Sequence, residues 1–255
     1  MTTPSRRVST SLRVVFAAAL ALTFAIVLIA DVAAATAFSP QQGVLTGNVP
    51  AEAAARPPAS RPAEFEKWFE SLPRQTVPVS GGGDAAVLIV KFSDYQCPIC
   101  VASYFAMKPV LEKYQKEMPG AVRLISLDYP LDQACNPALQ NNVHPGSCVA
   151  ALAVRMAAGQ NRAAEMEEYL YSNAGKLTTR AMQQAAITVG LVPNWNEQVP
   201  AALTAVRGDI ALADLLSIHG TPTFFVNGLR VEGGMTSEQW DLAIRLELKR
   251  AGRLK

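Results

Sequence analysis

Histidine occurs twice in these 255 residues and cysteine four times. A metal centre would have to draw on nearly all of them, and their spacing is against it. A zinc site needs a second closely spaced cysteine pair, whereas Cys135 and Cys148 have twelve residues between them, with only His144 nearby. Charge is also scarce, at 17% of residues with a net of +2. Even that small excess comes from residues 1–37, where Arg6, Arg7 and Arg13 stand against Asp31; beyond them 20 basic residues face 20 acidic ones. The near-neutral balance excludes the basic surplus of a nucleic-acid binder and gives no reason to expect an acidic substrate. No internal repeat is present. Apolar residues are plentiful: half the chain is hydrophobic, enough for one large domain or two small ones without reliance on cross-links.

The N-terminal stretch reads as an export element. Residues 1–12 are expected to stay in the cytoplasm and 13–37 to form a signal anchor or signal peptide. Three arginines precede the seventeen-residue apolar run Val14 to Ala30, and Ala35-Thr36-Ala37 offers a cleavage site. The run is long for a signal peptide and just short of a comfortable span, so both readings stand. Residues 38–63, rich in Pro and Ala, read as a linker that would lift a folded unit off a membrane, which mildly favours the anchor. Export implies an oxidising compartment in which four cysteines are used as pairs.

From residue 64 the pattern alternates between helix and strand. Phe65, Trp68, Phe69 and Leu72 recur at helical spacing. Thr76 to Val79 is expected as a short edge strand. Ala86 to Val90 is a continuous apolar run, as in a strand buried on both faces. A helix from Cys97 to about Met118 contains Pro109, where a kink is expected, and a second strand covers Val122 to Leu127. A helical block follows over about 147–217, in which Ser147 and Thr178 or Thr179 are candidate caps and Pro200 suits a first turn. Thr223 to Val226, Asn227-Gly228 and Leu229 to Val231 form a hairpin. The last helix starts at Thr236 with a capping box completed by Gln239.

Cys97-Pro98-Ile99-Cys100 lies between the first buried strand and a helix. Unpaired N–H groups and the helix dipole stabilise a thiolate at such a position. Cys97 is therefore expected to be an exposed nucleophile of low pKa, and Cys100 the deeper resolving thiol. Pro98 presets the first helical φ without losing a needed donor. A zinc half-site or a structural disulfide are the alternatives for a lone Cys-x-x-Cys, and the strand–Cys-x-x-Cys–helix order favours redox chemistry over both.

Phe92-Ser93-Asp94-Tyr95-Gln96-Cys97-Pro98-Ile99-Cys100, with Gly220-Thr221-Pro222-Thr223-Phe224-Phe225-Val226-Asn227-Gly228 downstream, resembles the DsbA-like branch of the thioredoxin superfamily. The resemblance covers about Phe65 to the C-terminus. It implies an α/β, thioredoxin-like fold with a helical insertion between the second core strand and the hairpin that begins at a cis-proline, since 121 residues separate Cys100 from Pro222. It also implies a cis Thr221–Pro222 bond packed beside the cysteines, with the Thr221 backbone offered to an extended substrate. Two positions depart from the family. Lys91 stands where a buried acid is common; its cation either favours the thiolate or snorkels away. Ile99 stands where strongly oxidising relatives place histidine, which implies a less oxidising couple.

The run Pro130 to Pro137, then His144-Pro145 to Cys148, is similar to thioredoxin-like partners of bacterial vitamin K epoxide reductase homologues. For Cys135 and Cys148 a structural disulfide, a redox relay and free thiols all remain open. His144 is expected to be a loop residue, and His219, two positions before Thr221, is either near the redox site or a plain surface histidine. The resemblance implies an extracytoplasmic thiol–disulfide oxidoreductase that donates its Cys97–Cys100 disulfide to exported proteins with free cysteines. It would need no cofactor beyond that disulfide and no metal, and a separate membrane partner of vitamin K epoxide reductase or DsbB type would reoxidise it. A reductase or isomerase uses the same chemistry in reverse, although residues 64–79 are too few for a dimerisation region. A copper-delivery module and a peptide-binding chaperone are the competing classes.

Overall fold

A computed structural model describes residues 56–58 and 61–254. The expected cytoplasmic segment, the signal or anchor at 13–37 and most of the 38–63 linker lie outside the described residues. Among those described, no helix is long and apolar enough to cross a membrane.

Four strands form one sheet in the order β2-β1-β3-β4. Strand β1 (Val87–Ser93) lies at its centre, parallel to β2 (Val122–Asp128) and antiparallel to β3 (Thr223–Val226), which pairs with β4 (Leu229–Glu232). Helix α2 (Pro98–Glu117) links the two parallel strands, which need such a crossover. It runs through Pro109, which lies inside it. The tight β3–β4 hairpin turns on Asn227 (φ +46°) and Gly228 (φ +85°), both left-handed, as its two-residue loop requires. Mixed α/β architecture and helical insertion are as the sequence implied.

Alternation along β1 feeds two cores. Val87 and Ile89 point to a cluster with Phe65 and Phe69 of α1 (Pro62–Ser71), Met107 of α2, and Trp240 and Ile244 of α7 (Ser237–Arg250). Leu88, Val90 and Phe92 point the other way, to the helical insertion. That insertion comprises α3 (Ser147–Ala158), α4 (Ala163–Ser172), α5 (Thr179–Thr188) and α6 (Trp195–Leu215). Helix α3, rich in alanine and buried on most sides, is its hub. Arg155 of α3 pins it to the sheet by reaching both Asp128 at the end of β2 and Asp209 of α6. Burial raises the Asp128 carboxyl to about 6, with the arginine opposing the rise.

Some local expectations need correction. Thr76 to Val79 is not a strand; a single bridge from Arg74 to Leu229 replaces it, and Pro78 has no N–H to give a ladder. Ser147 does not cap α3: the cap position is Gly146, at φ +95°, and the Ser147 hydroxyl finds no partner. Pro200 is not in the first turn of its helix. Helix α6 starts a turn earlier, at Trp195, because Trp195 and Val199 pack against the core and outweigh the lost hydrogen bond. Thr178, by contrast, caps α5, and Thr236 with Gln239 forms a complete capping box on α7.

Candidate active site

Cys97 is the N-cap of α2 and Pro98 its first residue, so the helix begins at the motif itself. Its Sγ lies 3.4 Å from the carbonyl oxygen of Thr221 and donates to it, and the Thr221–Pro222 bond is cis. Cys100 is one turn further in. Both thiols are free. Cys97 is not the exposed residue expected: it is only 6% accessible, against 2% for Cys100, because the Thr221 segment covers it. Ile99 is instead the motif residue that faces solvent, at 49%.

The two sulfurs are chemically unequal. Hydrogen bonding from the Cys100 thiol is the largest influence on Cys97, and together with the N–H groups of Cys100 and Ile99 and the Thr221 side chain it outweighs burial, holding Cys97 down to about 6. Burial, followed by the neighbouring Cys97, pushes Cys100 well above the usual thiol range. At neutral pH the arrangement is thus a Cys97 thiolate solvated by a Cys100 thiol, a nucleophile with its proton-bearing resolver beside it. The Thr221 hydroxyl is buried without a hydrogen-bond partner while Cys97 is a thiol, and a thiolate is the acceptor it lacks.

Lys91 takes neither course expected of it. It is buried, and its Nζ meets Glu167 Oε1 of α4 at 2.6 Å, above the rings of Tyr171 (5.4 Å) and Tyr104 (5.9 Å). The charge is therefore consumed in an ion pair and does not serve the cysteines. Ser93, on the same face of β1, shares a 2.6 Å hydrogen bond with the Tyr171 hydroxyl.

Cys135 and Cys148 are bonded to each other, and both are buried. The loop they close is welded to the motif. Asp94, fully enclosed, accepts N–H bonds from Gln96 (2.7 Å), Cys97 (3.1 Å) and Leu131 (2.7 Å). With its amide nitrogen turned to the loop, Gln96 donates to the carbonyls of Pro145 (2.9 Å) and His144 (3.2 Å). Within the loop Asp132 accepts from the N–H groups of Ala134, Gly146 and Cys148.

His144 Nδ1 lies 3.2 Å from Asp94 Oδ2, a charge contact when the imidazole is protonated. His144, expected to be a plain loop residue, is thus the histidine that meets the site, whereas His219 is exposed. Sequence reasoning missed Asp94 and His144. Asp94 had a local signal, an aspartate two and three residues before N–H groups at a helix start; His144 had none. Among the described residues, no group of three or more His, Cys, Asp or Glu is arranged to hold a metal ion.

Residues 74–245 match the model of the family described as Thioredoxin. The chain belongs to the thioredoxin family. A thioredoxin-family chain with free cysteines in Cys-x-x-Cys order, at a helix start facing a cis-proline, has the machinery of a thiol–disulfide oxidoreductase. Among solved structures its fold is similar to a thioredoxin-like oxidoreductase from Silicibacter pomeroyi (22% identity, 70% of this chain and 93% of that one, TM-score 0.51). It is likewise similar to α-DsbA1 of Wolbachia pipientis (16% identity, 69% and 94%, TM-score 0.55). Among curated proteins, a sodium/proton antiporter NhaA 1 of Mycobacterium sp. (strain KMS) is 30% identical over 180 residues, 69% of this chain and 26% of that protein. The chain thus spans about a quarter of the length of the curated relatives it matches.

Proposed function

We propose that this thioredoxin-family protein is an extracytoplasmic oxidase of protein thiols, with Cys97 as the nucleophile and Cys100 as the resolving thiol. The observation that carries the reading is the split in acidity between the two sulfurs at the start of α2, with Cys97 against the Thr221 carbonyl. A stable Cys97 thiolate favours the reduced form and leaves readily from a mixed disulfide with substrate, which makes the Cys97–Cys100 disulfide a donor of disulfides. A substrate thiolate attacks Cys97 Sγ. The Cys97–Cys100 bond breaks, and the electron pair goes to Cys100, which takes up a proton. A second substrate thiolate then attacks the substrate sulfur of the mixed disulfide and expels Cys97 as thiolate. The substrate has lost two electrons and the enzyme has gained them. Thr221, next to Pro222, would give its backbone to the extended substrate chain.

Export is supported by the arginine-flanked apolar run at the N-terminus and by the Cys135–Cys148 disulfide, since such bridges persist outside the cytosol. Relatives named as antiporters, which carry a stretch similar to this chain, support a place at the membrane. Reoxidation then falls to a membrane partner of the vitamin K epoxide reductase or DsbB type. Alkylation trapping in intact cells tests the direction: Cys97 and Cys100 found mostly disulfide-bonded supports the oxidase, and mostly reduced thiols would make the protein a reductase or isomerase.

A further inference from the structure

Asp94 sets a problem for the site. Its carboxylate is required by the backbone, because it satisfies the N–H groups of Gln96, Cys97 and Leu131. Yet a fully buried anion touching the Cys97 backbone disfavours a second anion on the Cys97 sulfur. Lys91 is occupied by Glu167, and Ile99, apolar and half exposed, supplies no charge. Among the described residues the basic side chain paired with Asp94 is His144, a cation when protonated.

We propose that His144 is a positioning residue for the thiol chemistry: held over Asp94 by the cross-linked loop, its imidazolium offsets the buried carboxylate and keeps Cys97 a thiolate, supplying the cation that residue 99 does not. The inference rests on the reading of Cys97 as nucleophile.

The backbone holds the imidazole in place. The N–H of His144 donates to Leu131 O at 2.9 Å, while the N–H of Leu131 donates to Asp94. The carbonyl of His144 accepts from Ser147 N–H at 3.0 Å and from the Gln96 amide. The side chain is 18% exposed, so water does not fully screen its charge. The Asp94 carboxylate foremost, opposed by burial, raises His144 above the ordinary imidazole range, and the Cys97 sulfur raises it further. That last effect is reciprocal: a thiolate that favours imidazolium is favoured by it to the same degree. The hydrogen bonds from Cys100, Thr221 and Ile99 are the leading influences that lower Cys97, and the imidazolium adds to them by this reciprocity.

The charged groups that face His144 are Asp94, from the loop before α2, and Cys97, at its first turn. Asp132, on its own loop, is turned to the N–H groups of Ala134, Gly146 and Cys148. Helix α5, where it approaches that loop near Gly146, presents the uncharged Thr179 hydroxyl. The assisted state therefore spans the interval between the Cys97 midpoint, about 6, and the raised midpoint of His144, above which the imidazole is neutral and the assistance ends.

The test is the thiolate absorbance at 240 nm, followed against pH in the reduced protein with Cys135–Cys148 intact. His144→Gln is expected to raise the Cys97 midpoint by about half a pH unit, a roughly threefold loss of thiolate at pH 5.5, and His144→Lys to keep it near the wild-type value. An unchanged midpoint in a folded His144→Gln protein would overturn the proposal. Should that variant not fold, nuclear magnetic resonance titration of His144 in the wild type and in Cys97→Ser gives the reciprocal reading: the imidazole midpoint falls in the serine variant if the two are coupled, and stays if they are not. A wild type with no thiolate at neutral pH would instead remove the functional reading itself.

Discussion

Lys91 of the central strand and Glu167 of helix α4 form a buried ion pair, Nζ to Oε1 at 2.6 Å, that ties the sheet to the insertion across 76 positions of sequence. Removing one partner leaves the other charge buried and uncompensated, which costs more than the pair itself contributes. Lys91→Met is therefore expected to destabilise the protein by about 3 kcal/mol in urea unfolding, and Lys91→Met with Glu167→Leu to recover most of the loss. A double-variant loss equal to the summed losses of Lys91→Met and Glu167→Leu alone would show that the pair is not coupled.

Gly228 turns the β3–β4 hairpin at φ +85°, and a Cβ placed there would stand 2.4 Å from the carbonyl oxygen of Gln75. The oxygen belongs to the backbone, and Gln75 is itself held by its N–H to Gly228 O at 3.0 Å, so neither can move cheaply. Gly228→Ala is expected to cost about 2 kcal/mol, from the backbone strain and the overlap together, read as a lowered midpoint in thermal or urea unfolding.

What was legible in the chain is what is local. The apolar run of β1, the Asn227-Gly228 turn and the Thr236/Gln239 capping box each act within a few residues and are legible at their places, and the α5 cap is legible to within one residue, Thr178 or Thr179. Where packing competes with a local preference, the reading failed. Pro200 suits a first turn, but Trp195 and Val199 find the core and extend α6 backward past it. The site divides in the same way. Cys97, Cys100, Thr221 and Pro222 announce themselves by motif, whereas Lys91–Glu167 and Asp94–His144 are long-range pairs that no spacing records.

Cys135 and Cys148 close a loop over a sequence separation of 13 that also carries Leu131, Asp132 and His144 on its flanks and span. In the chain-entropy model such a closure stabilises by roughly 3 kcal/mol. Cys135→Ala with Cys148→Ala is expected to lose about that much in urea unfolding of otherwise identical protein. Because both sulfurs are buried, mild reductant is expected to open Cys97–Cys100 first and leave this bridge intact, which mass spectrometry after alkylation would read. A native Cys97–Cys135 or Cys97–Cys148 linkage would mark a relay instead.

Ile99 exposes its side chain at the first turn of α2 and offers the Cys97 thiolate no side-chain donor. A donor or cation at that place stabilises thiolate and with it the reduced form. The potential of the wild type is expected to lie below the strong-oxidant value of about −120 mV. Ile99→His is expected to move it upward and to bring the Cys97 midpoint below its present value of about 6. Equilibration with glutathione measures the first, and thiolate absorbance the second.

The low pKa of Cys97 makes the reduced protein's stability depend on pH in a defined direction. An unperturbed thiol titrates near 9.0, and Cys97 in the folded protein near 6. Between these values the unfolded chain holds a proton that the folded protein has released, so stability rises with pH. The contribution is fully present above 9.0 and is lost as pH falls through 6. Cys100, shifted the other way, opposes it only above the ordinary thiol range. Urea unfolding of reduced protein at pH 6, 7 and 8 is expected to show a positive slope of at most about 1.4 kcal/mol per pH unit relative to the oxidised protein. In the oxidised form neither Cys97 nor Cys100 titrates, and ionising groups not coupled to Cys97 cancel in the comparison. The disulfide therefore becomes less stabilising as pH rises. A flat difference between the two forms across this range would mean that Cys97 is not a thiolate in the folded protein.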